Sequence, residues 1–189
     1  AKFCRARQAI CHHAEMVPQV ALLFSTAAHY RRVNGLFSRD PARLSGALHA
    51  LLEGQQSVEV LGEHHLSGRL HEYPIVVVPE WEYLEPQFKN DLVAYVQGGG
   101  HLLLIGPKAA ALFQSELGVT WDDKPSSKPQ YLAHRGALAP TKGQTQLVKL
   151  GPSGRGFGQL HVTNDANSPA QPAASITALG KGKIAATYF

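Results

Sequence analysis

The sequence predicts an α/β fold in which a doubly wound parallel sheet, spanning residues 19 to about 118, is followed by a β-rich extension. Three observations predict it. Ile75, Val76, Val77 and Val78 form an unbroken β-branched run between Pro74 and Pro79, and a run without polar alternation fits a central strand buried on both faces. Apolar runs alternate with amphipathic helices along the first part of the chain, the order that builds a parallel sheet through right-handed crossovers. Past Val119 the texture changes to turn-rich stretches, KPSSKP, GPSGRGFG and NDANSPAQP, separated by short strand candidates.

The elements follow in order. QVALLFS is a short apolar run that delivers its carboxyl end to the loop-like NGLFSRD, as a buried parallel strand does. A helix comes next: Asp40 suits the N-cap, Pro41 the first helical position, and Leu44, Leu48, Leu51 and Leu52 recur at helical spacing. Gly54 is placed to end it in a left-handed turn. SVEVLGE, with Val58 and Val60 alternating, reads as the second strand, and the linker HHLSGRLHEY leads into IVVV. Pro86 opens the second clear helix, Phe88, Leu92, Tyr95 and Val96 form its apolar stripe, and the glycines at 98–100 stop it. HLLLIG is the fourth strand, and KAAALFQSELG the third helix, closed by Gly118. In the extension, YLAH, TQLVKL, QLHV and ASITAL are strand candidates, and KIAATYF is expected at the edge of the main sheet.

A length of 189 residues with 44 % apolar content suits one core. Residues 1–17 read as a connecting helix or linker from a preceding domain, and 18–189 as one α/β domain, its extension covering 119–189. The chain opens without a start methionine and closes on a strand-like run, so a segment of a longer polypeptide is expected, with any targeting signal outside it. No apolar run approaches the roughly 20 residues of a membrane helix. The charge of +4 comes from 18 basic and 14 acidic residues scattered along the chain, whereas a nucleic-acid surface gathers its basic residues on one face. Neither membrane nor nucleic acid is therefore an expected partner. Cys4 and Cys11 are too few for a disulfide framework and too far apart for a CxxC site. Phe3, Arg7, Ile10 and Ala14 fall at helical spacing, which would hold the two thiols about 10 Å apart on a connecting helix.

PQVALLFS, then IVVVPEWEYLEPQFKNDLVAYVQGGGHLLLIG, then GKGKIAATYF together resemble the class I glutamine-amidotransferase-like fold in the version called the β-galactosidase trimerisation domain. The resemblance runs from about Pro18 to Phe189. It implies a flavodoxin-like sheet, a place beside a catalytic barrel in a glycoside hydrolase, and a role in assembly. True amidotransferases of this fold carry a cysteine on the sharp turn after the fourth strand, with a later histidine as base. Here that turn reads Gly106, Pro107, Lys108. Pro107 has no N–H to donate, Lys108 is no thiol, and neither cysteine is near in sequence. Amidotransferase chemistry is therefore not expected.

Open α/β sheets place ligands beside the carboxyl ends of their strands, so Ser25, Thr26, Glu80, Trp81 and Lys108 are candidate rim contacts. Ser25 lacks the GxSxG context of a nucleophile and reads better as a cap. Glu80 and Glu82 flank Trp81; paired acids cleave glycosides only at particular separations, and surface acids beside a packing tryptophan are the plainer reading. His12, His13, His64, His65 and His71 show no metal-ligand spacing, and no metal or cofactor is expected. GPSGRGFG lacks the strand and helix of a phosphate cradle and reads as a surface loop.

Two functions remain. One is a non-catalytic accessory and assembly domain of a glycoside hydrolase, partnered by the preceding catalytic domain and by copies of itself. The other is an independent small hydrolase or ligand-binding domain working from the rim.

Overall fold

The computed structural model describes residues 2–14, 17, 19–32, 42–121 and 124–189. The elements are α1 (Lys2–Cys11), β1 (Val20–Phe24), α2 (Thr26–Arg32), α3 (Ala42–Glu53), β2 (Val58–Gly62), α4 (Glu63–Leu66), β3 (Ile75–Pro79), α5 (Pro86–Gly98), β4 (His101–Ile105), α6 (Pro107–Leu112) and α7 (Gln114–Leu117). Then follow β5 (Val119–Trp121), β6 (Gln130–His134), β7 (Ala137–Thr141), β8 (Val148–Leu150), β9 (Gly154–His161), β10 (Ala170–Leu179) and β11 (Gly182–Thr187). A nine-stranded sheet runs in the order β2-β1-β3-β4-β11-β10-β9-β6-β7, and β5 pairs with β8 in a separate two-stranded sheet.

The large sheet has two characters. From β2 to β11 every neighbour is parallel; from β11 to β7 every neighbour is antiparallel. β11 belongs to both halves, parallel to β4 on one side and antiparallel to β10 on the other. KIAATYF, expected at an edge, is therefore interior. Its Ile184, Ala186 and Tyr188 are buried and share a core with α5, α6 and α7, and that burial outweighs placement at an edge.

β3 is central as expected, with Val76, Val77 and Val78 all sealed from solvent. Val76 and Val78 face the larger core with Leu92, Val96 and Phe113; Val77 faces a smaller one with Val20, Leu22 and Ala47 of α3. Helices α5, α6 and α7 pack on the first face, and among the described helices only α3 packs on the second. The covering is thus lopsided: on the α3 face Leu103, Ile105, Ala185 and Ile176 are only half-buried.

Several local expectations change. Asp40 and Pro41, proposed as cap and first helical residue, lie outside the described residues. At the end of α3 the left-handed residue is Gln55 (φ 58°), not Gly54. The Gly54 amide still bonds the Ala50 carbonyl as a helical residue does, and Gln55 and Gln56 then turn back to Leu52 and Leu51. KAAALFQSELG is two helices, because Phe113 leaves helical geometry (φ −123°, ψ 29°) with its ring fully buried. Gly118 does close the second in a left-handed cap (φ 63°). GPSGRGFG is no loop: from Gly154 onward it is β9, paired along its length with β10, and this long-range pairing overrides the glycine signal. β5 and β7 were not anticipated.

The two glycine clusters of the sequence meet in space. Gly180 turns the β10–β11 hairpin at φ 63°, and a Cβ there would stand 2.6 Å from the Gln97 carbonyl oxygen. One on Gly182 would stand 2.0 Å from the Gly100 oxygen and 2.3 Å from that of Val96. Lys181 N–H donates to the Gln97 carbonyl at 3.0 Å. The end of α5 and the last hairpin approach backbone to backbone, which only glycine permits.

Candidate functional site at the carboxyl ends of the parallel strands

Strand register lines up one residue just beyond the end of four of the five parallel strands, β2, β1, β3 and β4. Phe24 pairs with Gly62, Leu22 with Val77, and Pro79 with Ile105, so Glu63, Ser25, Glu80 and Gly106 stand side by side along the rim.

Ser25 is fully buried. Its Oγ accepts the Ala28 N–H at 3.1 Å, the N-cap bond of α2, and faces Glu63 Oε1 at 3.0 Å and the Tyr83 carbonyl at 3.3 Å. A hydroxyl so enclosed positions three elements and is shielded from any substrate. Thr26 is the first residue of α2 and half-buried.

Glu80 has a positive φ of 40°, a conformation that costs a non-glycine residue about 1 kcal/mol. Its N–H donates to the Ile105 carbonyl at 2.7 Å, and its carboxylate lies 3.6 Å from the Arg43 guanidinium. This turn throws Trp81 back into the core. The indole Nε1–H donates to the Leu23 carbonyl at 2.8 Å, and the ring packs edge-on to Phe24 with centroids 5.6 Å apart. Trp81 is a packing residue with no face to offer a sugar, while Glu82 is exposed. Tyr83 stacks under the Arg31 guanidinium, 3.3 Å from its ring centroid.

The turn after β4 holds Gly106, Pro107 and Lys108. Gly106 (φ 87°) donates its N–H to Thr187 Oγ1 at 2.9 Å, so that amide is already engaged. Pro107 has no N–H. The Glu80 side chain lies over Gly106, where an added Cβ would come 1.5 Å from Oε1. Cys4 and Cys11 are exposed, free thiols on α1, whose residues are all exposed.

Lys108, half-buried in the first turn of α6, borders a cavity of about 320 Å³ whose other walls include Trp121 and Gln146. A larger cavity of about 780 Å³ lies at the opposite, amino-terminal ends of β3 and β4, bordered by Tyr73, Tyr95 and the glycine turn. There the Tyr73 hydroxyl donates to the Glu59 carboxylate; burial first, and that hydrogen bond second, push the phenol up to about 12. Burial likewise raises Tyr95. His64 and His65 lie against each other at 3.9 Å, as do His12 and His13, and among the described residues no three metal-ligating side chains converge.

The sequence candidates thus separate. Ser25 and Glu80 are rim neighbours, Trp81 is interior, and Lys108 belongs to a different recess. Glu63, Tyr83, Thr187 and Trp121 were not anticipated. The first could have been found by applying one rule to every parallel strand, that the residue just past its carboxyl end faces the rim.

No protein-family model and no curated sequence matches the chain. Solved structures do. A β-galactosidase from Bacillus circulans sp. alkalophilus matches with TM-score 0.74 and 9 % identity, over 99 % of this chain and 30 % of that one. An α-L-fucosidase from Paenibacillus thiaminolyticus matches with TM-score 0.72 and 19 % identity, over 100 % and 31 %. A cytoplasmic protein of Salmonella typhimurium matches with TM-score 0.60 and 12 % identity, over 90 % of this chain and 87 % of that one. The chain therefore spans about a third of the glycoside hydrolases whose fold it shares.

Proposed function

We propose that this chain is a non-catalytic accessory and assembly domain of a larger glycoside hydrolase, of the β-galactosidase trimerisation type. Its parallel half is read as the flavodoxin-like layer of that fold, with order β2-β1-β3-β4-β11. One observation carries the reading. The whole chain corresponds to about a third of a β-galactosidase and of an α-L-fucosidase, so this part is common to enzymes named for different sugars. The turn at Gly106 and Pro107, which holds no cysteine, supports a role without amidotransferase chemistry. The half-exposed apolar face of β4, β11 and β10, and α1 with Phe3 67 % and Ile10 80 % exposed, supply surface for a barrel or a second copy.

Light scattering on the parent enzyme with and without residues 1–189 tests this. Loss of the domain should lower the particle mass or the melting temperature while sugar cleavage persists in what remains. Unchanged mass and stability with abolished catalysis would overturn it. One observation favours the second reading, an independent ligand-binding domain: the Salmonella protein is nearly all this fold.

A further inference from the structure

We propose that the recess beside Trp121 is a binding site for a single pyranose ring, a role beyond assembly and independent of it. At about 320 Å³ the cavity lies at the small end of ligand pockets, room for one sugar ring but not for a dinucleotide. Its walls are of two kinds. Trp121, Pro107, Ala111 and Pro125 form the carbon surface; Lys108, Lys124, Gln144 and Gln146 supply two ammonium groups and two amides. A pyranose has the same division, an apolar C–H face and an equator of hydroxyls that both donate and accept, which amides can answer in either sense.

The platform is fixed in advance. Trp121 meets the Tyr188 ring edge-on with centroids 6.1 Å apart, and the Tyr188 hydroxyl is tied to Ser175 Oγ at 2.6 Å. Gln146 is 4 % exposed; its backbone N–H donates to the Tyr188 carbonyl at 2.8 Å and its side-chain amide to the Leu147 carbonyl at 3.0 Å. Binding would therefore order few side chains. Among the described residues the lining carries amides and ammonium groups, and the role assigned to the site is binding.

The chain holds two tryptophans, and Trp81 is sealed in the core, so both emit but a change caused by a ligand in the recess is expected from Trp121 and should be lost in Trp121→Phe. Titration of the intact chain with methyl β-galactoside and with glucose should give a saturable change, half-complete on the order of 1–10 mM for so small a ligand. Sorbitol, a flexible polyol without a ring face, should give only a linear change. Gln144→Ala should weaken binding about fivefold, the worth of one hydrogen bond. Ala111→Phe, at an exposed position, should fill the recess and abolish binding while circular dichroism shows the fold intact. A linear response to both sugars up to about 100 mM, a sorbitol response equal to theirs, or saturation unaffected by Ala111→Phe would each overturn the proposal.

Discussion

The two halves of the sheet bury their strands in different ways. At the centre of the parallel half, β1 has Val20, Ala21, Leu22 and Leu23 all buried, and β3 has Val76, Val77 and Val78; in these two strands successive residues on both faces are out of water. In the antiparallel half, β9 leaves Arg155, Gly156 and Gln159 exposed, and β7 leaves Ala137, Ala139 and Pro140 exposed. A strand covered on both faces cannot admit a charge anywhere. A strand covered on one face tolerates it at alternate positions.

The sharpest break of that comparison is a pair of matched substitutions. Val77→Asp puts an unpaired carboxyl into a position with no exposure and should cost more than about 4 kcal/mol, enough to unfold the domain. Ile176→Asp, on the half-exposed face of β10, should cost about 1–2 kcal/mol and leave it folded. Chemical denaturation of both variants decides. Equal losses would mean that the two halves are buried alike.

The seam between the halves comes next. Gly182→Ala forces a methyl against the Gly100 and Val96 carbonyl oxygens, and because the obstruction is backbone from two elements, neither can move cheaply. A loss of about 2–4 kcal/mol is expected. A neutral result on thermal denaturation would mean that the hairpin and the end of α5 are not locked together.

Much of the parallel half was legible because buried strands and amphipathic helices announce themselves locally. IVVV, HLLLI and the stripe Phe88, Leu92, Val96 required no knowledge of partners. The antiparallel half was poorly legible, since β9 contains three glycines and is held by β10, whose residues lie up to 23 positions away in register, Gly154 opposite Thr177. β11 was recognised as a strand but misplaced, as nothing in KIAATYF states which two strands flank it. The rim was half legible: strand ends located Ser25, Glu80 and Lys108, but the inward turn of Trp81 depends on a positive φ at Glu80, which a glutamate does not advertise.

Alkaline pH probes the amino-terminal end of the parallel half. The Tyr73 phenol sits above its ordinary 10.0, at about 12, chiefly through burial. The fold therefore favours the neutral phenol. Its contribution is complete below pH 10 and is lost as pH rises from 10 toward 12. Tyr73→Phe should flatten that limb of the stability profile; an unchanged profile would mean that Tyr73 does not govern it.

The smallest effect concerns the end of α3, in the parallel half. Gln55 occupies the left-handed position that closes this helix, at φ 58°, with its N–H bonded to the Leu52 carbonyl at 2.9 Å and that of Gln56 to Leu51 at 3.0 Å. Those bonds fix the backbone whatever the side chain, and Gln55 itself is exposed, so replacing it forfeits no packing. Gln55→Gly removes the clash of Cβ with the backbone but adds freedom to the unfolded chain, and the first term is the larger at positive φ. A gain of about 0.5–1 kcal/mol is expected, read as a rise in melting temperature. Gly54→Ala, one residue earlier and not at positive φ, serves as the control: it should not share the gain through the same cause, because its amide still bonds Ala50 as a helical residue does. A loss of stability in Gln55→Gly would show that the side chain of Gln55, and not its backbone, is what closes the helix.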